Sequence, residues 1–109
     1  MDRDRVMTLA WMAAIGVGGL LPPLGPSGFQ PGGTLYHLVG FSVLTVLLSR
    51  TLPWARAAAV AWLYGVLLEG VQAFFPYRGA EVADLAVNLV AVVLGLVAVA
   101  VRRAWQAAS

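Results

Sequence analysis

Four stretches of apolar residues follow one another along the chain, separated by short connections that are rich in proline, glycine or arginine. They cover residues 6–21, 34–52, 54–75 and 81–101. Each is close to the roughly 20 residues that an α-helix needs to cross a bilayer. Proline and glycine in the first connection, and Pro76 after the third stretch, are typical helix stops. The pattern predicts an all-α protein, a bundle of four transmembrane helices in a single domain, 1–109.

The composition supports a membrane protein. Of the 109 residues, 61% are hydrophobic, 11% are charged and none is lysine, so the chain cannot present the charged surface of a small soluble domain. A net charge of +2 is too small to indicate a nucleic-acid partner. The chain has no cysteine, which excludes disulfides and thiolate metal sites.

The first apolar stretch has a second interpretation, because Arg3 and Arg5 precede it as basic residues precede the core of a signal peptide. It ends in Leu-Pro-Pro-Leu-Gly-Pro rather than in a small-residue cleavage site. We therefore expect this stretch to be retained as a helix.

The arginines orient the predicted bundle. Six of the seven lie at the termini or in the second connection, namely Arg3, Arg5, Arg50, Arg56, Arg102 and Arg103. Because positive residues accumulate on the cytoplasmic side, both termini are predicted to be cytoplasmic, in the plasma membrane. Arg78 alone falls on the outer side.

Polar residues that are costly inside a bilayer collect in the predicted outer half. They are His37, Glu69, Gln72, Arg78, Asp84 and Asn88. Glu69 and Asn88 lie roughly 10 Å below their outer helix ends, at a rise of about 1.5 Å per residue. The spacing places Gly65, Glu69 and Gln72 on one face of the third helix, and Asp84, Asn88, Ala91 and Gly95 on one face of the fourth. We expect one layered pocket, with the small residues allowing helices three and four to approach closely.

At these residues the chain resembles the VanZ-like membrane family, which is named for an accessory protein of teicoplanin resistance. The matching positions are His37, Glu69-x-x-Gln72, Pro76-x-Arg78, Asp84-x-x-x-Asn88 and Gly95. An Asp-Lys pair often precedes the histidine in that family, where this chain has Gly33 and Thr34. A glycine often follows the asparagine, where this chain has Ala91. The resemblance implies a small multi-pass envelope protein and does not supply a reaction.

Each polar residue also has a structural interpretation. Gln72 and Asn88 are typical of interhelical hydrogen bonds worth about 0.6 kcal/mol each. Arg78 with Asp84 or Glu81 suits a salt bridge near the surface, worth at most about 1 kcal/mol. Tyr36, Tyr64 and Trp54 are typical of interface belts and lipid-facing packing. Glu69 is the hardest to explain structurally, because a buried carboxyl group needs a proton or a partner.

Three classes of function remain open. The first is a binding protein whose outer pocket holds the headgroup of a membrane lipid or a lipid-linked envelope component, with a contribution to glycopeptide tolerance of the teicoplanin type. The second is an outer-leaflet enzyme that uses Glu69 and His37 as acid and base, although no convincing nucleophile accompanies them. The third is a structural module or ion relay, which could require oligomers. No cofactor is expected, and no metal site either, because zinc sites use at least three protein ligands and the chain has one histidine.

Overall fold

The computed structural model describes residues 2–20, 34–74 and 82–108. These residues form four helices and no strand, which confirms the predicted all-α class for the described part of the chain. The helices are α1 (Arg3–Leu20), α2 (Thr34–Leu48), α3 (Trp54–Gln72) and α4 (Val82–Ala108).

The helix ends differ from the predicted ones for local reasons. The first helix begins at Arg3 because Asp2 caps it: the Asp2 carboxylate accepts a hydrogen bond of 2.9 Å from the backbone N–H of Arg5. The second helix ends at Leu48 rather than at residue 52. Its last turn tightens into i→i−3 bonds at Arg50 and Thr51, and Pro53 disfavours a helical conformation at the residue before it.

The last helix continues to Ala108, beyond the predicted end at residue 101. Residues 102–108 contain neither glycine nor proline and are mostly good helix formers, so nothing in the sequence stops the helix there. The predicted end of the third helix, residue 75, lies outside the described residues.

Helix α2 lies between the other three, and its contact with α4 is the most extensive. Gly95 makes this contact possible, because a Cβ atom there would lie 2.7 Å from the backbone oxygen of Ser42 and 2.7 Å from Cβ of Thr45. The Ser42 hydroxyl donates a 2.9 Å hydrogen bond to the carbonyl of Ala91. Ala91 and Gly95 were expected to face α3, so the partner of this small-residue face is corrected to α2.

The first helix is attached through its backbone carbonyls. The hydroxyl of Tyr64 donates to the oxygen of Met12 at 2.6 Å, and that of Tyr36 donates to the oxygen of Ile15. Glycines make room for these rings, since a Cβ atom at Gly16 would lie 2.8 Å from the Tyr64 oxygen. Both tyrosines tie α2 and α3 to α1, which lipid-facing packing alone does not explain, and their place in an interface belt stays a prediction.

By length and apolar composition, one helix of the described chain is a candidate membrane span, α4 across Ala83–Ala108. Helix α2 is apolar but has only 15 residues. Helices α1 and α3 contain 18 and 19 residues and carry charged side chains. The outward side of α4 is apolar, with Leu89, Val90, Val93, Leu94, Val97 and Val101 exposed. The structure thus supports one of the four predicted spans directly, and the other three stay a prediction.

Candidate functional site

His37 is the centre of a buried polar cluster. It lies near the start of α2, with 1% of its surface exposed. Its Nδ1 atom is 2.8 Å from the side-chain oxygen of Asn88 on α4. Because an amide oxygen only accepts, Nδ1 is the donor, and in a neutral imidazole Nε2 is then the acceptor. Nε2 lies 3.5 Å from a carboxylate oxygen of Asp84.

Glu69 completes the cluster from α3. Three atoms lie within 4.8 Å of one another: a ring nitrogen of His37 and one carboxylate oxygen each of Glu69 and Asp84. Glu69 therefore lies close to His37 and Asp84, two of the residues that were expected to share its pocket. We call His37, Glu69, Asp84 and Asn88 the His37 cluster; it joins α2, α3 and α4.

Local sequence explains why these side chains meet. Asp84 and Asn88 are four residues apart, so both lie on one face of α4. Gly65 lies one turn before Glu69 and leaves space for Asn88: a Cβ atom at Gly65 would be 2.7 Å from Asn88 Nδ2. Gly65 thus leaves room for a side chain of α4, whereas the close approach of the two helices was expected between backbones.

Aromatic rings enclose the histidine. The rings of His37 and Phe41 are stacked, with centroids 5.9 Å apart and planes inclined by 12°. The ring of Tyr36 meets His37 edge-on, with centroids 5.8 Å apart. No feature of the sequence singled out Phe41, although its spacing of one helical turn from His37 is the signal that could have done so.

Gln72 makes its contact on the α1 side of the bundle. Its side-chain nitrogen donates a 2.6 Å hydrogen bond to the carbonyl of Gly19, and the side chain is fully buried. This bond corresponds to the structural interpretation of Gln72, a packing contact between helices, with α1 as the partner. Arg78, the remaining predicted site residue, lies outside the described residues, as does Glu81.

The cluster combines two carboxyl groups, one imidazole and one amide in a largely water-excluded place. Glu69 is 5% exposed, whereas the Asp84 side chain is 16% exposed and is the most open of the charged members. The negative charges of two carboxylates this close would repel each other, and a cation or a hydrogen-bond donor between them would relieve the repulsion. The side-chain nitrogen of Asn88 and the side-chain oxygen of Gln72 have no hydrogen-bond partner among the described residues. Such an arrangement can transfer protons, hold a cation, or bind a polar group.

A groove at the opposite end of the bundle is lined by arginines. Arg50, Arg102 and Arg103 face it together with Asp4, which lies 3.4 Å from Arg50. The start of α1 and the ends of α2 and α4 therefore lie at one end of the molecule. The His37 cluster, near the starts of α2 and α4, lies towards the other end.

These features define a small protein that is all-helical in its described residues, with ionisable side chains inside its bundle and one candidate membrane span. The family model for VanZ/LLP1 matches residues 5–103, and the chain belongs to this family. The resemblance seen in the sequence is thereby confirmed. No curated protein sequence and no solved structure shows a significant match to the chain.

Proposed function

We propose that this protein crosses the plasma membrane four times and uses the His37 cluster to bind the headgroup of an envelope lipid or lipid-linked amphiphile. The observation that carries the proposal is the convergence of three ionisable side chains from three helices within 4.8 Å of one another, with His37 and Glu69 buried and Asp84 partly exposed. Charged groups inside a bilayer are costly, and they usually mark a functional site.

A purely structural role accounts poorly for this cluster. Packed apolar residues stabilise a bundle as well as a buried ion pair does, and often better. The cluster also includes a buried amide nitrogen, on Asn88, whose hydrogen bonding is unsatisfied by described residues. A hydroxyl or carbonyl oxygen of a headgroup could accept this hydrogen bond without placing an anion beside the two carboxyl groups, and Arg78 would face the anionic part of the headgroup.

The family connection agrees with an amphiphile as ligand. Teicoplanin, after which the resistance type is named, is a lipid-tailed antibiotic that acts outside the membrane. A site for lipid-linked headgroups in the outer half of the bundle would allow the protein to alter how such a compound reaches its target. Glycopeptide tolerance is in this proposal a consequence of headgroup binding.

The orientation of the bundle is the first prediction. The arginine-lined groove joins residues from α1, α2 and α4 at one end, and positive residues favour the cytoplasmic side. We expect a reporter fused after residue 109 to be active in the cytoplasm and one inserted within residues 22–33 to be active outside. Signals of the reverse kind at both positions would place the His37 cluster on the cytoplasmic side and contradict an outer site.

Headgroup binding is the second prediction. Protein purified in mild detergent should retain a stoichiometric amphiphile, visible as a discrete mass shift by native mass spectrometry and identifiable after extraction. Asp4→Asn is the matched control, because it removes a carboxylate from the other end of the bundle. We expect Asp4→Asn to retain the ligand. Asp84→Asn should lower the affinity for the ligand at least about tenfold, a change of about 1.4 kcal/mol in binding free energy. Retained lipid with the same composition as the bulk membrane would contradict the proposal.

One observation favours an enzyme as a second candidate. His37 is hydrogen-bonded to Asn88 on one side and faces Asp84 on the other, which is an arrangement suited to general acid–base chemistry. The nearby Ser42 hydroxyl donates to the Ala91 carbonyl and packs helices together, so it does not supply a free nucleophile. Incubation with the extracted amphiphile separates the two candidates: a binding protein returns it chemically unchanged, whereas an enzyme converts it.

The ion relay receives less support from the described residues. Below His37 on α2, the Thr45 hydroxyl donates to the Phe41 carbonyl at 2.8 Å and the Ser49 hydroxyl to the Val46 carbonyl at 2.6 Å. These groups satisfy bonds within their own helix, so they do not form a polar path across the inner half.

A further inference from the structure

We propose that His37, Glu69 and Asp84 form a binding site for a divalent transition-metal ion of the zinc type. The site goes beyond headgroup binding and does not depend on it. The three residues lie on α2, α3 and α4, and each offers one ligand atom within 4.8 Å of the other two.

The donor atoms fit this class of metal. Zinc is bound by imidazole nitrogen and carboxylate oxygen, and three protein ligands with one position left for water or substrate form a common open site. Ligand atoms around a tetrahedral zinc ion with bonds of about 2.1 Å are about 3.4 Å apart. His37 Nε2 and Asp84 Oδ2 are already 3.5 Å apart. Glu69 offers a carboxylate oxygen as the third ligand, within 4.8 Å of the ligand atoms of the other two residues.

The hydrogen bonding of His37 provides an independent observation. Its Nδ1–H donates to Asn88, so Nε2 of the neutral ring presents a lone pair to the carboxyl groups. Nε2 is buried and accepts no hydrogen bond within the described part of the chain. Metal-binding histidines typically donate their other ring N–H to an oxygen acceptor, which fixes the tautomer and the orientation of the ring. Asn88 is placed to do this for His37, as a positioning residue.

Charge also favours a divalent cation. Two carboxylates and a neutral imidazole together carry a charge of about −2 when the acids are ionised, which is unfavourable in a place with little water. A divalent ion neutralises both carboxylates at once, whereas an imidazolium ion leaves one of them uncompensated. Asp84, as the most open charged member of the cluster, provides an access route for the ion.

The experiment measures zinc on the full-length protein in detergent micelles. After equilibration with micromolar Zn²⁺ and removal of unbound metal, elemental analysis should find about one zinc ion per wild-type chain. The substitutions His37→Gln, Glu69→Gln and Asp84→Asn should each weaken zinc binding at least about tenfold. The control Asp4→Asn, which removes a carboxylate that is paired with Arg50, should bind zinc like the wild type.

Two results of the zinc measurement would overturn the site. The first is a wild-type chain that retains no zinc above the level of a blank micelle. The second is zinc binding that survives all three substitutions, or that Asp4→Asn weakens equally. A measurement on the wild type alone tests the site even if the variants fail to fold. Bound Co²⁺ should produce visible d–d absorption, and one equivalent of Zn²⁺ should abolish it. Absence of this spectrum would also refute the site.

The outcomes for zinc and for lipid are separable. Zinc bound to a protein that carries no specific amphiphile would refute headgroup binding and support the metal site. A specific amphiphile on a chain that does not bind zinc or cobalt would refute the metal site and support headgroup binding.

Discussion

Replacement of Gly95 by leucine should destabilise the protein by about 3 kcal/mol or more, at the upper end of the range for overpacking a closely packed interior. The reason is the contact between α4 and α2. The first side-chain carbon would already meet the Ser42 carbonyl and the Thr45 side chain at 2.7 Å. A backbone oxygen cannot rotate away as a flexible side chain can, so the helices would have to separate. Equilibrium unfolding in micelles with increasing denaturing detergent measures the loss.

Gly70 provides the matched control for Gly95. It is a helical glycine on α3, it is exposed, and a Cβ atom there would meet nothing within 4 Å. Gly70→Leu should leave the free energy of unfolding unchanged or raise it by several tenths of a kcal/mol, because leucine is the better helix former. Equal stability of the two variants would show that the close contact of α2 with α4 is not required for the fold.

Neutral replacements of the charged cluster members should separate ligand binding from scaffolding. If the cluster binds a headgroup, Glu69→Gln and Asp84→Asn should each lower the affinity for the amphiphile at least about tenfold in metal-free buffer. This corresponds to about 1.4 kcal/mol of binding free energy. The free energy of unfolding should change by less than about 1 kcal/mol, since each new amide keeps the shape of the acid and one acceptor oxygen, and its NH2 group can donate. Arg78→Gln should lose the ligand in the same way.

A structural cluster would behave in the opposite way. Removing one partner of a buried ion pair leaves the other charge uncompensated and costs about 3–5 kcal/mol. Large losses of stability in Glu69→Gln and Asp84→Asn would therefore reduce the cluster to scaffolding. The exchange Arg78→Glu with Asp84→Arg sharpens the comparison. Recovery of stability without recovery of the amphiphile would support binding, whereas recovery of both would identify a salt bridge.

The existence of the four helices could be predicted from the sequence because long apolar stretches and proline-rich breaks are strong local signals. Their ends depended on finer features. Asp2 extended the first helix through a single capping bond, and the last helix had no stop signal at residue 101. The four apolar stretches are also less alike than their hydropathy indicates. Within the described ranges, α2 is short for a span and α4 alone is clearly long and apolar enough.

The meeting of Glu69, Asp84 and His37 could be predicted in outline, because helical spacing fixes which residues share a face. Which face meets which neighbour could not. Rotation of each helix about its axis is set by packing, so Ala91 and Gly95 turned out to contact α2. The partner of Gln72 is a backbone carbonyl, and such an acceptor leaves no signature in the sequence. The possible metal ligands come from three helices, so no spacing motif revealed them.

The attachment of α1 has a consequence for how its register is specified. Its carbonyls at Met12, Ile15 and Gly19 accept hydrogen bonds from side chains on α2 and α3. Every residue of a helix offers the same carbonyl, so these bonds would form almost equally well if α1 slid by one turn. Gly16 and Gly18 distinguish the observed alignment from the shifted one, because they leave space for the rings of Tyr64 and Tyr36. In α1, therefore, the side chains missing at Gly16 and Gly18 select one alignment together with the buried Ile15 and with Trp11, whose indole donates a 2.9 Å hydrogen bond to the Gly40 carbonyl.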